Sequence, residues 1–351
     1  MEKERKRALH GGDVYRNEVE LDFSVNINPL GIPPRVQESL HAAVLECTQY
    51  PDLEGAALKD ALGTRLGVEA AEIVCGNGAS ELFVALAHAL QPKRAVLPVP
   101  SFLGYEKALQ GAGCRIAYYF MRKENGFCLD QEIKALLTED VDMLFLTNPN
   151  NPVGNLMEQA ILLELLEWCR EKKIIVVLDE CFIGFLQEEQ SASMIKRVQE
   201  FPNLIVVQAF TKLYAIPGVR LGYLLCGSRE MKEKIERQLP EWNLSIFAQR
   251  AGVAALEETA YVSESVQLLA AERLYLEKAM RELDIQTYPS ETNFMLLETE
   301  MPLYEKLLRE KILIRDCSNF RGLGEGFYRI AVKKRQENER LIQAIRKIKE
   351  G

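Results

Sequence analysis

An α/β architecture is predicted: a large domain built on a mostly parallel seven-stranded sheet, with a smaller α+β domain beside it. Three features predict it. Seven short apolar runs lie between residues 69 and 226, helical patterns separate most of them, and after residue 227 the alternation stops. Continuous apolar strands alternating with amphipathic helices belong to a sheet covered on both faces. Such sheets bind ligands at the carboxyl ends of their strands.

The runs span 73–75, 95–99, 115–120, 143–146, 174–178, 204–207 and 220–226. Helical patterns at 80–90 and 157–171 are typical of the segments between them. Beyond residue 227, helices are predicted at 229–238, 246–258 and about 260–283, then short strands at 293–297 and 327–332 and a final charged helix. The predicted division gives residues 45–235 to the large domain, and 1–44 with 236–351 to the small one.

With 351 residues, 48% of them hydrophobic, the chain has ample material for a large core. A net charge of −8 argues against nucleic acid as a partner. No stretch approaches the roughly 20 apolar residues of a membrane span. The charged start, Met1 to Arg7, lacks the apolar stretch of a secretory signal. Eight cysteines without a Cys-x-x-Cys pair fit a reducing cytoplasm. Only three histidines are present, without ligand spacing, so no metal site is expected.

Lys212 directly follows the apolar run that ends near Phe210. An ammonium kept out of water there loses its proton more easily and becomes a candidate Schiff-base nucleophile. Asp179 ends the run at 174–178, where a carboxylate can hold a pyridine nitrogen protonated. Asn148-Pro-Asn-Asn151-Pro-Val-Gly154 is a double Asn-Pro turn after another strand. Gly76-Asn-Gly78-Ala79-Ser80 joins a strand to a helix start, which presents backbone N–H groups to an anion. Glu81 stands where a dinucleotide fingerprint needs its third glycine, which disfavours NAD.

Together these segments, with Gly218-Val-Arg220-Leu-Gly222 after the lysine, resemble the fold-type I pyridoxal-phosphate enzymes of the class I and II aminotransferase superfamily. The wording Thr211-Lys212-Leu-Tyr-Ala-Ile-Pro-Gly218 is most similar to the L-threonine-O-3-phosphate decarboxylase branch, with histidinol-phosphate aminotransferases as its nearest relatives. The resemblance implies the pyridoxal-phosphate transferase fold, with Lys212 and Asp179 catalytic. It implies cofactor binding by Gly78, Ala79, Ser80, Phe102, Asn151, Thr211 and Arg220. Tyr50 would reach the phosphate of a neighbouring subunit, so a homodimer with shared active sites is expected. Arg329 would grip the substrate carboxylate, with Asn151 beside it.

His10-Gly-Gly12, the segment around Asn28 and the segment 315–324 also resemble the decarboxylase branch, so His10, Asn28 and Arg321 are expected at the substrate. Two departures from the family pattern stand out. Phe182 replaces a tyrosine that many relatives aim at the cofactor, and Ala209 replaces a Ser or Thr that binds its phosphate. The expected reaction is decarboxylation of L-threonine O-3-phosphate, or of a close acid such as O-phosphoserine, within cobamide synthesis. A histidinol-phosphate-type aminotransferase is the alternative. A pyridoxal-phosphate-sensing regulator is disfavoured, because the roughly 20 residues before Asp22 are too few for a winged helix.

Overall fold

A computed structural model describes residues 10–350. After a short strand β1 (Leu21–Asp22), the seven predicted strands form one sheet: β2 (Ile73–Gly76), β3 (Arg94–Val99), β4 (Arg115–Phe120), β5 (Met143–Thr147), β6 (Ile175–Asp179), β7 (Leu204–Ala209) and β8 (Gly222–Cys226). Their order is β2-β8-β7-β6-β5-β3-β4, and only β8 runs antiparallel to its neighbours. The sheet is therefore mostly parallel, as predicted.

Alternation along the strands divides two cores. Leu144, Leu146, Val176, Leu178 and Val206 face one layer; Phe145, Val177, Val207 and Leu224 face the other. Helices cover both layers, among them α1 (Pro34–Ala43), α2 (Ala56–Leu66), α3 (Ala79–Leu90), α4 (Leu103–Gly111) and α5 (Gln159–Glu171). A run with no polar residue on either side is what a doubly covered strand requires. β4, at the edge, is the half-exposed exception.

A short turn α6 (Glu189–Ala192) and helices α7 (Arg229–Glu236), α8 (Ile246–Leu256) and α9 (Thr259–Glu282) follow. The second sheet contains β9 (Gln286–Thr287), β10 (Phe294–Glu298), β12 (Arg315–Asp316) and β13 (Phe327–Ala331), while β11 (Ile312–Leu313) pairs with β1. Helices α10 (Leu303–Arg309) and α11 (Arg335–Glu350) complete it. A third core gathers Leu276, Met280, Phe294, Ile330 and Leu341 with Phe23 from the N-terminal segment. Helix α8, assigned by the sequence division to the small domain, instead gives Ala248, Ala251 and Ala255 to the large-sheet core, and Val36 of α1 joins them. No helix among the described residues is long and apolar enough to cross a membrane.

Candidate active site

The carboxyl ends of β5, β6 and β7 and the start of α3 surround one cavity of about 220 Å³. Lys212, Asp179, Asn151, Phe102, Ala79, Ser80, Thr211, Arg220, His10 and Arg329, all expected at the site from sequence, line it.

Asp179 is buried at the bottom. The Cys181 N–H donates to its Oδ1 at 2.8 Å, and the Tyr105 hydroxyl donates to its Oδ2. Thr147 in turn donates to the Tyr105 oxygen at 3.0 Å. Burial raises the Asp179 carboxyl above its ordinary range, and those two donors pull it back. A cation placed against it would hold it ionised. Tyr105 was not singled out in the sequence reading. Its signal was spacing: it lies one helical turn after Phe102, and the two rings meet edge to face at 5.4 Å. Phe182, where a tyrosine is usual, turns its ring edge onto Phe294 at 4.9 Å and lines the cavity as an apolar wall.

Lys212 keeps partial access to the cavity but is enclosed by protein. Burial, then the charges of Arg329 and Arg220, bring its amine down to about 8. Behind it runs a buried network. Gln208 on β7 donates to Glu180 at 2.8 Å and accepts from Tyr223 of β8. Glu180 also accepts from Ser193 and, at 2.7 Å, from the Met194 N–H, while burial raises it to about 7. These bonds lace the end of β6 to β7 and β8.

At the opposite wall Gly78 caps α3 with φ +80, a left-handed conformation that favours glycine. A Cβ at Gly78 would lie 2.6 Å from an Arg220 Nη atom, so the guanidinium sits directly against the loop. Glu81 steadies the loop by accepting from the Asn77 N–H at 2.6 Å and from Asn243 at 3.1 Å. The first turn of α3, beside Arg220, presents backbone N–H groups as an anion cradle.

The mouth comes from the second sheet and the N-terminal segment. Arg329 on β13 is buried, donates to Asn151 Oδ1 and donates to the Ser24 carbonyl at 3.1 Å. Its Nε–H has no partner among the described residues. Burial lowers this guanidinium to about 10, so it stays charged at neutral pH. Arg315 on β12 is also buried and lines the cavity; its segment, 315–324, was included in the sequence reading, but Arg315 was assigned no role there. It donates to Asn319 at 2.8 Å and lies 5.1 Å from the Phe320 ring. His10 stands 6.2 Å from Phe102, and burial with the charges of Arg315, Lys107 and Arg329 lowers its basicity.

Three expected residues lie elsewhere. Asn28 does not line the cavity: its amide donates to the Leu213 carbonyl and to Ser265, both at 2.7 Å, and its backbone N–H donates to the Lys212 carbonyl at 3.1 Å. It braces the lysine segment from behind instead of meeting the substrate. Arg321 pairs with Glu106 outside the cavity. Tyr50 is 79% exposed and packs on Trp242 at 4.8 Å, away from this chain's own cavity.

These residues suit pyridoxal phosphate: a carboxylate raised by burial, a lysine lowered by burial, an anion cradle and an aromatic wall at Phe102. Ala79, Ser80, Thr211 and Arg220 would take its phosphate, Asp179 its ring nitrogen and Lys212 its aldehyde carbon.

The sequence profile described as "Aminotransferase class I and II" matches residues 18–345. The threonine-phosphate decarboxylase of Salmonella typhimurium is 37% identical over 98% of this chain and 97% of its own length. Among solved structures, the histidinol-phosphate aminotransferase of Clostridium acetobutylicum superposes with a TM-score of 0.88 at 31% identity, covering 94% of this chain and 99% of that one. The L-threonine-O-3-phosphate decarboxylase of Porphyromonas gingivalis gives 0.84 at 26% identity, over 94% and 100%. Backbone shape is shared by both reaction types.

Proposed function

The chain belongs to the class I and II aminotransferase family and is a pyridoxal-phosphate-dependent enzyme, and from that premise we propose that it decarboxylates L-threonine O-3-phosphate. The product is 1-aminopropan-2-ol phosphate, made in cobamide synthesis; O-phosphoserine is a close alternative substrate. One observation carries the reading. The cavity is lined by three arginines, Arg220, Arg315 and Arg329, with Asp179 the carboxylate in the same lining. The cofactor contributes one phosphate, and a phosphorylated amino acid contributes a carboxylate and a second phosphate. Three anions meet three guanidiniums.

Bound here, pyridoxal phosphate supplies an electron sink for the bond pair released at the substrate Cα. The chain's own residues decide which bond breaks. Arg329, already fixed by Asn151 and Ser24, has an unused Nε–H for the carboxylate. Arg315 and His10 hold the phosphate at the other end. Gripping both ends fixes rotation about Cα, and with it whether the carboxylate or the proton departs. Asp179 keeps the ring nitrogen protonated. Lys212, lowered to about 8, gives its proton to Cα after carbon dioxide leaves and regains one from solvent. Phe102, Phe182 and Phe320 keep water from the reacting carbon.

We also propose that the enzyme is a cytoplasmic homodimer. Its cysteines are free thiols, and Leu45, Tyr50, Leu53 and Trp242 are exposed apolar side chains, Tyr50 packed on Trp242, that a second copy would cover. Tyr50 would then reach the partner's cofactor phosphate.

The test is incubation of the holoenzyme with phosphothreonine and no oxo acid. Sustained carbon dioxide release is expected. Release absent, with amino transfer appearing only when an oxo acid is supplied, would favour the histidinol-phosphate-type aminotransferase instead.

A further inference from the structure

The segment between β12 and β13 brings Phe320 into the cavity lining and contacts Arg315. Asn319 accepts from the Arg315 guanidinium at 2.8 Å, and the Phe320 ring, which lines the cavity, lies 5.1 Å from the same group. The Arg315 guanidinium also donates to the Asp316 carbonyl at 2.6 Å, so the loop orients one edge of the fork.

Residues next to Phe320 tie the loop to the large sheet. The Arg321 guanidinium lies over the Tyr118 ring at 4.1 Å and donates to Glu106 Oε1 at 2.9 Å. Glu106 is itself oriented, accepting from the Tyr118 hydroxyl at 2.7 Å and from Gln110 at 3.1 Å. Gly322, at φ +88, lies so close to the large sheet that a Cβ there would be 3.4 Å from the Val99 carbonyl. Glu106 belongs to α4, the helix that starts beside Phe102 and carries Tyr105. One salt bridge therefore connects the helix that frames the cofactor wall to the loop that aims Arg315.

We propose that Arg321 is a positioning residue: its clamp on Glu106 and Tyr118 latches the 317–324 loop, and thereby presents Arg315 and Phe320 to the phosphorylated end of the substrate. The inference deepens the decarboxylase reading and rests on it for the identity of that substrate. It replaces the direct contact that sequence alone suggested for Arg321.

A partly exposed ion pair and a stacked guanidinium together support an effect of about three- to tenfold. In holoenzyme carrying Arg321→Ala, KM for phosphothreonine is expected to rise by about that factor while kcat stays within about twofold. Amide hydrogen exchange in 317–324, measured without substrate, is expected to quicken by a similar factor. Glu106→Gln should reproduce both changes, adding Arg321→Ala to it should change little more, and Arg321→Lys should restore part of the loss. Unchanged exchange in both single variants overturns the latch. So does a fall in kcat with Arg321→Ala that Glu106→Gln fails to copy, since that marks Arg321 as touching substrate itself. If wild-type enzyme releases no carbon dioxide, the decarboxylase reading fails, yet the exchange measurement still decides the latch.

Discussion

Lys212 and Asp179 reach the cavity from β7 and β6, neighbouring strands whose register places Asp179 opposite Val207. His10, Arg315 and Arg329 reach it from the N-terminal segment and from two strands of the other sheet. The floor is therefore fixed by backbone pairing inside a doubly covered sheet, and the mouth by how separate loops and strands dock on that sheet. Floor residues should control whether chemistry happens at all. Mouth residues should control which molecule is presented and which of its bonds is aligned.

The largest expected effect lies on the floor. Lys212→Ala is expected to lower kcat on the order of 10³-fold, since it removes the group that carries the proton to and from Cα. Arg329→Ala leaves the substrate carboxylate ungripped and should cost about 2–5 kcal/mol in kcat/KM. Steady-state and single-turnover kinetics on both variants compare the regions directly. A larger loss in kcat from Arg329→Ala than from Lys212→Ala would reverse the assignment and make the mouth the seat of the chemistry.

Next in size is a stability effect without substrate. The Lys212 amine falls from 10.5 to about 8 in the folded protein, chiefly by burial. Between those values the unfolded chain holds a proton that the folded chain has released, so this group's contribution rises with pH across that window. Below pH 8 its cost is fully present, about 3 kcal/mol. Apo Lys212→Met is therefore expected to be more stable than apo wild type by about that amount below pH 8, with the gap closing toward pH 10.5. Urea denaturation across the window checks it. A gap independent of pH would mean that the lysine is not desolvated, and the floor would lose its distinguishing property.

For the mouth, Arg315→Ala removes charge-assisted hydrogen bonds worth about 1.5–3 kcal/mol. Phosphothreonine should lose about 10- to 150-fold in kcat/KM, unphosphorylated threonine little, and cofactor affinity nothing. A loss shared equally by both substrates would mean that Arg315 serves the floor.

This contrast also explains what could be read from the chain. All seven strands of the large sheet and the placement of Lys212, Asp179, Asn151 and Arg220 were legible, because each follows from a local pattern: an apolar run, then a polar residue at its carboxyl end. At the mouth the same reading reached His10 and Arg329 but not the residues around them. Asn28 and Arg321 stand in segments with the right wording, yet their side chains hold Leu213 with Ser265 and Glu106 respectively. Arg315, two residues from buried Cys317, reads as an ordinary strand arginine until docking turns it into the cavity. Helix α8, predicted with the small domain, shares its core with residues of the large sheet for a related reason. Its small residues Ala248, Ala251 and Ala255 fit any close packing partner, and periodicity does not say which sheet they will meet.

The smallest expected effect probes whether floor and mouth are independent. Ala209 ends β7, lines the cavity and occupies the place where relatives carry a hydroxyl, while Thr211 lies buried two residues on. Ala209→Ser adds one donor toward the cofactor phosphate, a gain of about 0.5–1.5 kcal/mol. Cofactor release on dilution should slow by about two- to tenfold, with KM for phosphothreonine unchanged. An unchanged release rate would mean that Thr211 and the start of α3 already satisfy the phosphate, so the alanine leaves no ligand missing. A changed KM would be the more consequential result. Ala209 is followed directly by the segment that Asn28 braces through the Lys212 carbonyl, so a shift there would carry a floor substitution to the substrate end along the backbone.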